Sequence, residues 1–116
     1  MCLVVPKSQR TKVAKEDIVV YKTLFKEKNG IYLSTIKGFP YQRGYLYYQT
    51  GKKFTTEQAL FDKFIYKGLH SFQFKKEAKK YLHRTKIIVE MIIPKGARYY
   101  YDGGKYCSDQ LLFPEL

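Results

Sequence analysis

The chain has 116 residues, of which 45% are hydrophobic, and a formal net charge of +12 with a pI of about 9.7. This length suits one domain with one core, and the apolar content excludes an intrinsically disordered chain. No segment approaches the roughly 20 apolar residues that a membrane helix needs. We therefore expect a single domain over 1–116, with an arm at 1–16, a body at 17–116 and a cytoplasmic location.

The first half of the body is predicted to contain strands and loops. Asp17–Phe25 is rich in β-branched and aromatic residues, which favours a strand. Ile31–Ile36 follows the turn signal Asn29-Gly30 and alternates well enough for a second strand. Lys37–Gly51 holds three glycines and one proline. This composition predicts loop and short strand, where ligand contacts are often placed.

Two helices are predicted in the second half. Thr55 and Gln58 have capping-box spacing, and the apolar face that follows ends at Gly68, which predicts a first helix. Phe74–His83 has lysines on one face and apolar residues on the other, which predicts a second helix.

Strands are predicted around and after these helices. Leu69–Phe72 is short and apolar, and Lys86–Ile93 is apolar on both faces, which predicts a central strand. Ala97–Tyr101 is predicted to pair with Tyr106–Phe113 through a tight hairpin at Asp102-Gly103-Gly104. The sequence thus predicts a small α+β domain, with two helices on a twisted, mixed or mostly antiparallel sheet.

A basic, tyrosine-rich segment is the first candidate binding site. Between Asn29 and Thr56 there is no acidic residue. Basic groups neutralise phosphate and tyrosine rings stack on bases, so the pattern indicates an anionic, nucleotide-type ligand. The alternative is that the lysines only solubilise a tyrosine-rich surface. The candidate ligand-binding residues in this segment are Tyr41, Arg43, Tyr45, Tyr48 and Lys52.

Two further segments carry candidate ligand-binding residues. In Gly68–Phe72, His70 is a potential phosphate donor or acid–base group, while Ser71 has no base at a recognisable spacing and is a contact residue at most. A second basic-aromatic cluster contains Lys95, Arg98 and Tyr99. The two cysteines and two histidines form no metal-ligand spacing, so we expect no metal, no other cofactor and no catalytic residue.

Several short motifs resemble those of a family of small proteins from phages and gut bacteria. They are Ile18–Lys22, Tyr41 with Gly44, Gly68-Leu69-His70-Ser71-Phe72 with Ala78, Ile92–Gly96 with its Ile-Pro-Lys-Gly, Tyr99-Tyr100, and Ser108-Asp109. The resemblance covers most of residues 17–112. It implies a phage or mobile-element accessory protein rather than a defined activity.

A more distant similarity is to ADP-ribosyltransferase-like folds. Tyr21-Lys22 resembles the first-strand pair that contacts the dinucleotide in those proteins, although lysine stands where histidine or arginine is usual. The similarity adds Tyr21 and Lys22 to the candidate ligand-binding residues. It implies a catalytic glutamate as well, for which Glu90 is the candidate.

The leading hypothesis is a non-enzymatic, homo-oligomeric protein that sequesters an anionic nucleotide-type ligand. In a phage, such a protein would act in the host cytoplasm against a nucleotide signal of host immunity. One alternative is an ADP-ribosyltransferase-like enzyme that uses NAD. The other is a non-specific RNA- or DNA-binding protein, since a net charge of +12 favours binding to a phosphate backbone.

Overall fold

The computed structural model describes residues 3–6, 8–26, 30–34, 40–48, 55–58, 62–67, 69–80 and 86–115. Strands dominate these residues, with one short helix, α1 (Lys75–Lys79). The strands in chain order are β1 (Leu3–Pro6), β2 (Lys12–Val13), β3 (Ile18–Lys26), β4 (Ile31–Ser34), β5 (Pro40–Gln42), β6 (Tyr45–Tyr48), β7 (Thr55–Gln58), β8 (Asp62–Lys67), β9 (Leu69–Phe72), β10 (Lys86–Ile93), β11 (Arg98–Asp102), β12 (Lys105–Ser108) and β13 (Gln110–Phe113).

The predicted α+β class with two helices is wrong, because the described chain is a mostly antiparallel β domain. The predicted first helix is replaced by β7 and β8, which pair with each other while β8 also pairs with β1. Aromatic and β-branched residues at this segment suit a strand as well as a helix, and non-local pairing outweighs the local capping signal. The predicted second helix is limited to α1 within the described residues, and residues 81–85 lie outside them.

The larger sheet has the order β2-β11-β12-β9-β3-β10-β13-β6, with β4 attached to β3 and β5 attached to β4. The predicted central position of Lys86–Ile93 is confirmed, since β10 lies between β3 and β13. The predicted strand Tyr106–Phe113 divides at Asp109 into β12 and β13, which pair with different neighbours. The predicted turn before it is confirmed: β11 and β12 pair around Gly103 and Gly104, which have φ values of 55° and 84°. A positive φ at both turn residues is the geometry of tight hairpins and explains the glycines.

The main core lies against one face of this sheet. Alternate residues of β3 and β10 point into it, because side chains alternate between the faces of a strand. The fully buried members on the central strands are Val20, Leu24, Met91, Ile93, Leu111 and Phe113.

A second, smaller sheet has the order β1-β8-β7. Leu3 and Val5 of β1 are buried against Tyr100 and Cys107 of the larger sheet. The N-terminal arm therefore belongs to the packed body. Among the described residues, no helix combines the length and the apolar character needed to cross a membrane.

One edge of β3 is divided between two strands. β9 pairs with β3 at Tyr21, whereas β4 pairs with it from Leu24 to Lys26. Lys22 and Thr23 lie at this junction. Thr23 donates a buried hydrogen bond of 2.7 Å to the Ala78 carbonyl of α1, which fixes the helix on the outer face. Lys22 lies between Val20 and Leu24 in the alternation, so its side chain leaves the strand on the core face.

Candidate functional site

The connection between β5 and β6 is a tight turn at Arg43-Gly44. Gly44 has a φ of 86°, a value that favours glycine, and its N–H donates to the Phe113 carbonyl at 2.6 Å. A Cβ on Gly44 would lie 2.7 Å from the Glu115 carboxylate, so a larger residue would also displace Glu115. The turn is thereby fixed against the end of β13.

Arg43 is held in this turn by two rings and one carbonyl. Its guanidinium carbon lies 4.6 Å from the Phe113 ring centroid and 5.8 Å from that of Tyr32. One Nη donates to the Pro114 carbonyl at 3.3 Å. The Nε is buried and has no hydrogen-bond partner within the described part of the chain. A guanidinium carries five N–H donors, and within the described residues the Pro114 carbonyl accepts from one of them, which leaves Nη donors for an anion.

Tyr45 is placed beside Arg43 by the register of β6 and β13. It lies directly opposite Phe113, so both side chains are on the face that carries the guanidinium. Tyr45 is 57% exposed. We call Arg43, Gly44, Tyr45, Phe113 and Pro114 the Arg43 corner; it combines a fixed cation with an exposed aromatic ring.

Tyr48 is equally exposed, at 58%, but belongs to a different surface. It lies three residues along the same strand from Tyr45, so alternation directs it to the opposite face, with Leu46. The structure therefore separates two tyrosines that the sequence analysis placed in one site.

Tyr41 is a core residue with 2% exposure. Its ring meets that of Tyr47 edge-on at 4.8 Å, and burial raises its pKa well above the usual value of 10. The Tyr47 hydroxyl in turn contacts the backbone of Gln42. Tyr41 therefore packs the interior beneath the Arg43 corner and offers no face for stacking.

Lys22 approaches Tyr41 from β3. Its Nζ lies 5.7 Å from the Tyr41 ring centroid and donates a hydrogen bond of 2.6 Å to the His70 carbonyl. Within the described residues this is its one hydrogen bond, although an ammonium has three N–H donors. Burial lowers the pKa of Lys22 from 10.5 to about 8, against a smaller opposing effect of the nearby Cys107. Lys22 and Tyr41, with the His70 backbone carbonyl, form what we call the Lys22 cluster.

The side chains of His70 and Cys107 lie on the other face of the sheet from Lys22, because His70 is two residues before Phe72, which is directly opposite Tyr21. His70 and Cys107 are directly opposite each other on β9 and β12, and the Cys107 Sγ lies 3.8 Å from the His70 Nε2. Cys107 is a fully buried cysteine. The sequence analysis missed Cys107, because 37 residues separate it from His70 and the pairing of their strands is non-local.

The Tyr21-Lys22 pair does not converge on one site. Tyr21 is directly opposite Glu90 on the outer face, which also bears α1, while Lys22 leaves the strand on the core face. The residues that carry the transferase resemblance are therefore divided between the two sides of the sheet. Ser71 is buried, at 1% exposure, and its Oγ has no hydrogen-bond partner among the described residues.

The second basic-aromatic cluster lies around β11, in the part of the large sheet near β2. Lys95 and Arg98 are exposed, and their backbone N–H groups donate to the carboxylates of Asp17 and Asp109. Tyr99 is half-buried, with its ring 5.6 Å from that of Tyr106.

Lys52 lies outside the described residues. The part of the chain that the structure describes holds no group of three metal-ligating side chains. The chain has no significant match among protein-family models, curated proteins or solved structures.

Proposed function

We propose that this protein binds and sequesters an anionic, nucleotide-type ligand at the Arg43 corner. The observation that carries the proposal is the guanidinium of Arg43, held between two rings, with one hydrogen bond to the Pro114 carbonyl and no partner for its Nε within the described residues. A fixed guanidinium binds phosphate through two parallel hydrogen bonds and loses little side-chain entropy on binding.

Tyr45 supplies the second element of recognition. Its exposed ring lies on the same face as the guanidinium, so a phosphate on Arg43 leaves the base or sugar within reach of an aromatic surface. Stacking on such a ring is worth roughly 1–3 kcal/mol per base. The net charge of +12 favours capture of the anion.

Glu115 opposes this capture. Its carboxylate lies against Gly44, the residue that follows Arg43. Replacing Glu115 with Gln removes a negative charge from the corner and should tighten binding of any anion there.

The cellular setting follows the phage resemblance. We place the protein in the host cytoplasm as a homo-oligomer that removes a nucleotide signal of host immunity. The exposed Leu46 and Tyr48 on the terminal strand of the sheet are the surface that a second copy would cover.

Calorimetric titration with ADP-ribose and with cyclic nucleotides tests the proposal, after native mass spectrometry has shown which nucleotide the protein retains. Tyr45→Ala should weaken binding by about 1–3 kcal/mol. Phe74→Ala is the control, since it removes a ring of similar exposure, 51%, outside both the Arg43 corner and the surface assigned to a second copy, and it should leave affinity unchanged. Equal losses in both variants, or no nucleotide binding by the wild type, would overturn the proposal.

Single-stranded RNA and DNA oligonucleotides separate the proposal from its nucleic-acid alternative. If an extended basic surface binds them, log affinity falls steeply with log salt concentration, in proportion to the number of phosphates neutralised. Lys75, Lys76, Lys79 and Lys80 around α1 are all exposed, so substituting them would then matter more than substituting Tyr45.

A further inference from the structure

The Lys22 cluster is separate from the Arg43 corner and is not used by the proposed function. Lys22 lies on the core side of the large sheet, between the fully buried Val20 and Leu24. Opposite it on β10 is the buried Val89, and the ring centroid of Tyr41 lies 5.7 Å from the Nζ. Its half-buried side chain nevertheless keeps some contact with solvent.

We propose that Lys22 is a reactive amine that forms an imine with a small anionic aldehyde. The proposal goes beyond the binding of nucleotides and does not depend on it. It rests on the position of the Nζ, which has one acceptor within the described residues, the His70 carbonyl, and no carboxylate ion pair there. A lysine without a carboxylate partner in an apolar setting is the kind that proteins use for Schiff-base chemistry.

The lowered pKa of Lys22 agrees with the role proposed from the position of its Nζ. With a pKa of about 8, about half of the Lys22 side chains are uncharged at pH 8, against roughly 0.3% for a lysine with the ordinary value of 10.5. Among the described residues, the titratable groups near Nζ are Tyr41 on β5, with Tyr47 behind it, and, on the other face of the sheet, Cys107 and His70. None of these is a carboxylate, and the effect of Cys107, which favours the charged lysine, is smaller than that of burial.

The reaction needs no oxidant or reductant. The lone pair of the neutral Nζ attacks the carbonyl carbon, and a carbinolamine forms after a proton moves from nitrogen to oxygen. The C–O bond then breaks, the oxygen leaves as water with the second amine proton, and a C=N bond remains. An aldehyde with a negative charge is favoured because the protein carries a net charge of +12.

Pyridoxal 5′-phosphate is a suitable probe, with uncharged pyridoxal for comparison. The wild-type protein is incubated briefly with the probe at pH 8, the imine is reduced with borohydride, and the modified lysines are quantified by peptide mapping. Lys86 is the internal control, because its ammonium also lies over a ring, 5.0 Å from the Phe25 centroid, outside the cluster.

We expect Lys22 to be labelled at least about threefold faster than Lys86, and the phosphate-bearing probe to react faster than pyridoxal. Lys22→Met should remove this fast component while the circular dichroism spectrum stays that of the wild type. Because the wild-type map alone gives the ratio, a variant that fails to fold leaves the test intact. A ratio below about threefold, or equal rates with the two probes, would overturn the proposal.

Discussion

The guanidinium of Arg43 lies 4.6 Å from the centre of the Phe113 ring, at the point where the β5–β6 turn meets the end of β13. Phe113 is fully buried, so Arg43 covers the core and faces solvent at the same time. One side chain thus contributes to stability and to the proposed recognition of an anion. Its substitution should affect both properties, and the two effects can be separated.

Arg43→Ala should lower the free energy of unfolding by about 1–2 kcal/mol, because the variant loses the cation–π contact and the packing of the side-chain stem. Arg43→Gln keeps part of that packing without the charge, so it should recover some stability but no anion binding. Urea denaturation measures the first effect and calorimetric titration the second. If Arg43→Ala unfolds at the same urea concentration as the wild type, the cation–π contact does not contribute to stability.

Lys22 makes stability depend on pH in a window set by its lowered pKa. Between about pH 8 and 10.5 the unfolded chain holds the Lys22 proton more tightly than the folded protein, so the free energy of unfolding rises with pH. The full difference corresponds to roughly 3 kcal/mol, an upper bound for a half-buried group. The raised pKa values of Tyr41 and Tyr106 act in the opposite direction, since the stability they contribute is lost as the pH rises above about 10.

Urea denaturation of wild type and Lys22→Met at pH 7.5, 8.5 and 9.5 checks this prediction. Titrations shared by the two proteins cancel in the difference between their free energies of unfolding. We expect the variant to be more stable at pH 7.5, with an advantage that shrinks toward pH 9.5. An advantage that stays constant across this range would show that Lys22 keeps an ordinary pKa.

The two sheets differ in how far the sequence predicts them. β10 and the β11–β12 hairpin were predicted because their signals are local: a run of β-branched residues and a Gly-Gly turn. β8 was missed because one of its partners, β1, lies some 60 residues away in the sequence. β7 was missed because the capping-box spacing of Thr55 and Gln58 predicted a helix there, although β7 pairs locally with β8.

The alternation of Val20, Lys22 and Leu24 in the sequence is enough to predict that Lys22 lies on the core face. The His70–Cys107 pair could not be predicted, because it depends on the register between two strands that are distant in the sequence.

The N-terminal strand should protect Cys107. Leu3 and Val5 of β1 are buried against this thiol, so deleting residues 1–6 should cost about 2–5 kcal/mol of stability and open the thiol to solvent. The deletion also removes Cys2, so a disulfide reagent such as Ellman's reagent then reports on Cys107 alone. Cys2→Ser in the intact chain is the control and should react slowly. Unchanged thiol reactivity together with a new oligomeric state in light scattering would mean that the arm packs between subunits instead.

The last prediction concerns chemistry at the outer face, where Glu90 lies opposite Tyr21. A transferase would need a carboxylate close to the ribose and the Tyr21-Lys22 pair on the dinucleotide, yet Lys22 leaves the strand on the other side of the sheet. NAD incubated with the wild type, Glu90→Gln and His70→Ala should therefore be recovered unchanged from all three proteins. Chromatography of the nucleotide after heat denaturation of the protein measures this recovery. Release of nicotinamide by the wild type that Glu90→Gln abolishes would replace sequestration with the enzymatic alternative, and would place the active site on the face of the sheet that carries α1.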